Sequence, residues 1–212
     1  TSLDPVTGRP EYDLSKKPGT GKGASFCPSH WGGKDWPPAA FSPETRLLYI
    51  PANDNVCAYF IGEEIEYRKG REFMGTDWEE STLVLHADAE KYIGELQAWN
   101  VDTGKKVWSQ TFEHHNWGPV LATGGGLVFM GGTNDRYFRA FHAKTGKLLW
   151  EQRTNSGITG VPSSYEIDGK QYIAVLSGWG VDAEREQASL KVLGKTHRDV
   201  PQGGVLWVFG LD

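Results

Sequence analysis

The stretch AWNVDTGKKVW, Ala98 to Trp108, returns as AFHAKTGKLLW, Ala140 to Trp150. Each copy opens on Ala, carries Thr-Gly at its sixth and seventh places and closes on Trp, forty-two residues apart. A chain that writes one phrase twice at this spacing is building one supersecondary unit repeatedly. Within the phrase, a strand leads into a tight turn and a second strand leads out. The glycine allows the positive φ that the turn needs.

The surrounding sequence keeps the rhythm. VLATGGGLVFMGG reads as two short strands about a glycine turn, and VPSSYEIDGKQYIAVLSG as a hairpin with Asp168-Gly169 at its tip. RLLYI, Arg46 to Ile50, is a strand candidate bounded by Pro43 and Pro51, and GGVLWVFGLD closes the chain on another strand. Strands follow one another with no helix predicted between them. A repeat near forty residues with a Trp and a glycine turn in each unit predicts an all-β fold, a β-propeller. A lone blade cannot bury both of its faces, so neighbours stack. Trp108 and Trp150 are expected to lie flat against the next blade. FSPETRLLY, Phe41 to Tyr49, is a degenerate third copy with Arg46 in the glycine's place. The length then holds three to four blades. Residues 1–23 read as a connector, and 58–93 and 182–201 as insertions, within a single propeller portion spanning 1–212.

Composition agrees and excludes several functions. With 9 Trp, 8 Tyr and 9 Phe against a hydrophobic content of 38%, the core is aromatic. The net charge of −5 and the lack of a basic stripe argue against nucleic-acid binding. No apolar run approaches the ~20 residues of a membrane span. The chain opens on Thr1 with no visible signal peptide, as a processed or cut polypeptide would. Two cysteines, Cys27 and Cys57, suit either one disulfide or two buried thiols.

The phrase A-x(5)-G-x(3)-W resembles the tryptophan-docking motif of PQQ-dependent (quinoprotein) alcohol dehydrogenases. The resemblance extends over FCPSHWGGKDWPPAAFSPET, IPANDNVCAYF, the block from Asn116 to Ile158, and DGKQYIAVLSGWG. It implies the C-terminal part of an eight-bladed propeller that binds pyrroloquinoline quinone (PQQ) and a calcium or lanthanide ion. The family's catalytic Asp, most metal ligands and vicinal disulfide belong to an N-terminal half of the propeller whose motifs are not in this sequence. That half would be a separate chain or a missing segment, and no catalytic or metal residue is assigned here.

Three blocks carry the site that the resemblance implies. GGKDW puts Asp35 where many members have Asn beside the quinone, with Trp36 next to it. An ionised carboxylate cannot donate the hydrogen bond that an amide would. The alternative for this block is a surface turn. NWGP offers Trp117 as an aromatic plane for a flat conjugated ring, or as a blade-packing side chain. SGWG offers Gly178, Trp179 and Gly180. The resemblance also favours a Cys27–Cys57 disulfide, which would close a loop worth roughly 3–4 kcal/mol in chain entropy. His114 and His115 are read as exposed loop histidines, since no Cys or acidic residue sits at ligand spacing. Asp54 and Asn55 are read as turn residues, and GEEIEY as a solvated face.

The implied activity is oxidation of an alcohol or polyol, with electrons passed to a cytochrome c in the periplasm. The alternative is a non-enzymatic propeller scaffold for protein–protein contacts. A sugar-binding module on exposed Trp platforms ranks third, because docking already accounts for the tryptophans.

Overall fold

The structure is a computed structural model, and residues 2–195 and 198–210 are described. Among the described residues, fourteen strands make four antiparallel sheets, and there is one α-helix. The first complete blade joins β2 (Ala40–Ser42), β3 (Leu47–Asn53), β6 (Gly94–Asn100) and β7 (Lys105–Phe112), in that order. The second joins β8 (Val120–Ala122), β9 (Leu127–Met130), β10 (Tyr137–His142) and β11 (Leu148–Arg153). A third sheet holds β12 (Ser163–Ile167), β13 (Lys170–Ser177) and β14 (Val205–Gly210). A smaller sheet, β1 (Gly23–Phe26), β4 (Val56–Ile61) and β5 (Thr82–Leu85), stands apart from the blades.

The repeated phrase is the β6–β7 pair in one blade and the β10–β11 pair in the next. Its conserved spacing has a geometric reason. Ala98 pairs directly with Trp108, and Ala140 with Trp150, so a small side chain always faces the indole across the strands. Both pairs shift register directly after the alanine. Gly104 and Gly146 take φ of 65° and 69° in the two turns. The degenerate copy makes a turn as well, with Arg46 at φ 58°, but it joins β2 to β3.

Blades pack through their faces. Leu47, Tyr49, Leu96, Ala98, Val128 and Phe141 fill the space between the first two blades. Phe129, Phe138, Ile158, Ile173 and Val175 fill the next. The Asp168-Gly169 turn has positive φ at both residues, as a two-residue hairpin requires.

Two expectations need correction. The strand from RLLYI runs on through Pro51 to Asn53. It does so beyond the end of β2, where one side of β3 has no neighbour and a proline does no harm. The fold is a β-propeller as expected, but where no helix is predicted Val181–Val192 forms helix α1, at the start of the 182–201 insertion. Its buried Ala183, Gln187 and Leu190 recur at helical spacing, yet only two of them are apolar, so no hydrophobic stripe announced it. The 58–93 insertion contributes the end of β4, all of β5 and a short 3-10 turn at Ala87–Glu90.

Candidate functional site

A third core lies away from the blade interfaces and is built around three indoles. Trp31, Trp117 and Trp179 are buried there with Val56, Ile93, Ala183 and Leu190. His115 is fully buried among the three indoles, at ring distances of 6.4 Å from Trp31, 6.4 Å from Trp117 and 5.7 Å from Trp179. Trp36 stands edge-on to Trp117 at 6.4 Å and 81°, and is 48% exposed. Helix α1 covers the cluster through Ala183 and Leu190.

Local structure fixes each indole. Trp179 lies against Gly157, where a Cβ would fall 1.9 Å from its ring, so residue 157 can carry no side chain. The backbone N–H of Trp117 donates to the Gly132 carbonyl at 2.9 Å. Gly178 bridges to Ile158, and Gly180 serves as the N-cap position of α1. Asp35 is exposed, and its Oδ1 accepts the Trp36 N–H at 2.7 Å. Cys27 and Cys57 are joined in a disulfide that ties the end of β1 to β4, one residue from Val56 of the cluster.

The cluster is unusual in its unpaired polar atoms. Nε1 of Trp117, Nε1 of Trp179 and Oε2 of Glu186 are buried without a hydrogen-bond partner. Interiors seldom leave such atoms unsatisfied. Their titration follows from the surroundings. Burial, and then the neighbouring His114, depresses the His115 imidazole to about 3, so it is neutral. Burial, then the charges of Asp182 and Asp35, pushes the Glu186 carboxyl up to about 8, so it holds its proton at neutral pH.

The sequence-selected residues therefore divide. Trp36, Trp117 and Trp179 come together with His115, and Asp35 is close enough to act on Glu186. Trp108 lies instead on the Gly146 turn of the next blade, whereas Trp150, expected flat against its neighbour, stands edge-on to Phe209 and is 38% exposed. His114 and His115, expected in an exposed loop, are 3% and 0% exposed, because the loop is folded under α1. The sequence reading gives no site role to Trp31, His115 or Glu186. Trp31 directly precedes GGKDW, and that position is the signal the sequence offers for it. Among the described residues, no three His, Cys, Asp or Glu side chains are placed to hold a metal ion. Among the described residues, no helix is long and apolar enough to cross a membrane.

Comparison with known proteins fits this architecture. Residues 110–173 match the family described as glucose/ethanol/alcohol dehydrogenase, beta-propeller domain. The chain is 39% identical over 98% of its length to a quinoprotein ethanol dehydrogenase of Pseudomonas putida, of which it covers 33%. It is 37% identical over 88% of its length to a lanthanide-dependent methanol dehydrogenase of Methylacidiphilum fumariolicum, again covering 33%. Among solved structures, a europium-containing methanol dehydrogenase superposes with a TM-score of 0.81 at 34% identity, over 99% of this chain and 38% of that one. A quinohemoprotein alcohol dehydrogenase from Comamonas testosteroni gives 0.68 at 31%, over 85% and 27%. The chain thus spans about a third of the length of the curated relatives it matches. With its two complete blades, its doubled docking phrase and this match along nearly all of its length, the chain belongs to the quinoprotein alcohol dehydrogenase family.

Proposed function

We propose that this chain supplies one wall of the PQQ pocket of an alcohol dehydrogenase. The observation that carries the reading is the pair of buried, unpartnered indole N–H groups on Trp117 and Trp179, under a helix that carries a protonated Glu186 between Ala183 and Leu190 of the cluster. Such donors suit an acceptor-rich, flat ligand, and a quinone bearing carboxylates is one. When bound, PQQ would supply the two-electron acceptor for oxidation of an alcohol or polyol to an aldehyde or ketone. The chain's own residues orient and enclose it. Trp117 and Trp179 offer faces and N–H donors, Trp36 forms the half-open rim, and Gly178 and Gly180 keep the backbone slim. Glu186 holds a proton on α1, and α1 covers the indoles through Ala183 and Leu190. Asp35 orients the Trp36 backbone.

The catalytic base and most ligands of a calcium or lanthanide ion would come from elsewhere in the propeller. Electrons would leave to a cytochrome c in the periplasm, a setting that the disulfide suits. The residues 1–212 form part of one propeller domain in this reading.

Titration of the chain with PQQ tests it. Tryptophan fluorescence should quench to saturation, and Trp117→Ala should weaken binding by about tenfold or more. Absence of any quenching would favour the second reading, a non-enzymatic scaffold. That reading draws on Trp117 and Trp179 being only 2% and 6% exposed, as in an ordinary packed core.

A further inference from the structure

The two strips of chain that form the rim and floor of the candidate pocket, GGKDW and NWGP, are more than eighty residues apart in sequence. A buried asparagine joins them. Asn53 ends β3 and is 3% exposed. Its backbone N–H donates to the Gly33 carbonyl at 3.1 Å, within GGKDW. Its carboxamide meets the backbone of Asn116 at both ends. Nδ2 donates to the Asn116 carbonyl at 3.1 Å, and Oδ1 accepts the Asn116 N–H at 2.8 Å. Asn116 is itself 1% exposed and braced. Its Nδ2 donates to the Glu95 carbonyl at 2.8 Å, and its Oδ1 accepts the Gly118 N–H at 3.3 Å. Trp117 lies between these two anchored residues.

Presenting a donor and an acceptor side by side to the C=O and N–H of one residue is what a carboxamide does. Asparagine reaches it from a strand end with little rotamer freedom to lose. We infer that Asn53 is a positioning residue, which sets the angle between Trp36 and Trp117 by clamping the two strips through Gly33 and Asn116. This rests on the reading of those indoles as the wall of the quinone pocket. The effect on the rings themselves does not.

The test uses the 212-residue chain labelled with 5-fluorotryptophan and followed by fluorine NMR. The Trp36 resonance is assigned by its loss in Trp36→Phe. Its ring-current shift from Trp117 is read as the change on Trp117→Phe. That shift should collapse in Asn53→Ala and in Asn53→Asp at neutral pH, where a carboxylate faces the Asn116 carbonyl without a proton to donate. Acidification should restore it in Asn53→Asp alone, because a protonated carboxyl again offers one donor and one acceptor. Asn55→Ala is the control. It deletes another buried donor, Nδ2 to the Tyr92 carbonyl at 2.9 Å, and should leave the shift intact. A ring-current shift unchanged in the Asn53 variants overturns the inference. If Asn53→Ala does not fold, Asn53→Asp and its pH response decide the matter. PQQ added to the same samples should half-saturate at about tenfold higher concentration in Asn53→Asp than in the parent. If the parent takes up no PQQ while the ring-current result holds, the clamp stands and the pocket reading falls.

Discussion

Trp108 and Trp150 close the same phrase and meet different surroundings. The Trp108 ring lies on the Thr145-Gly146 turn of the next blade, where a Cβ on Gly146 would come within 2.5 Å of Cε3. Its Nε1 donates to the Ala143 carbonyl at 2.9 Å. Tyr49, from the degenerate copy, packs beside it at 5.7 Å with its ring tilted by 34°, and sends its hydroxyl to the same carbonyl at 3.2 Å. Trp150 instead stands edge-on to Phe209 at 5.0 Å and Phe138 at 6.3 Å, and is 38% exposed. Beside it is an apolar groove of about 490 Å³ lined by Leu127, Phe129, Leu149, Ile173 and Val208. The sheet it faces has three strands among the described residues, and so no third-to-fourth-strand turn to receive the indole. The phrase encodes its own alanine–tryptophan pair and turn in both places. The docking half of the motif is written in the neighbour.

The largest expected contrast comes from deleting each indole. Trp108→Ala should cost about 3–5 kcal/mol in denaturant unfolding, and Trp150→Ala about 1 kcal/mol, since little packing is lost there. Equal losses would erase the distinction. The two turn glycines sharpen it. Gly104→Ala meets nothing within 4 Å and should cost only the backbone strain of a positive φ, about 1–2 kcal/mol. Gly146→Ala has the same strain and also strikes Trp108, so it should cost roughly 1–3 kcal/mol more. Tyr49→Phe keeps the ring packing and removes the hydroxyl's bonds to Ala143 and Thr45, for about 1 kcal/mol.

The smallest effect separates both joints from the aromatic cluster. Glu186 binds its proton more tightly folded than unfolded. It therefore stabilises the fold fully below its ordinary carboxylate range, and that stability drains as pH rises towards about 8. His115 works the other way, losing stability as pH falls from its ordinary value towards about 3. The melting temperature should then decline from pH 6.5 to 8, above the imidazole's range, and Glu186→Gln should flatten that decline. The Trp108–Trp150 difference should not change with pH.

The blades were legible because their signal is local. Thr-Gly and Asp-Gly turns fix hairpins within a dozen residues, and the alanine–tryptophan spacing is a cross-strand pair. What escaped was decided by distant parts of the chain. Helix α1 has a polar composition, and only the indoles beneath it select the face it buries. His114 and His115 look like loop residues until α1 closes over them. Pro51 reads as a strand breaker, and only the short reach of β2 makes it harmless. The candidate cofactor residues were visible through family resemblance alone. Asn53, which ties two of their segments together, carries no motif.

Strand β14 pairs on one side with β13, while Val205, Leu206 and Val208 along it are exposed. A bare strand border rich in branched aliphatic residues is a template for another chain. Purified in isolation, these 212 residues should behave as a sticky solute whose apparent mass climbs with concentration. Spectroscopy of the tryptophans is then best performed dilute, or with a lysine placed at Leu206 to spoil the border.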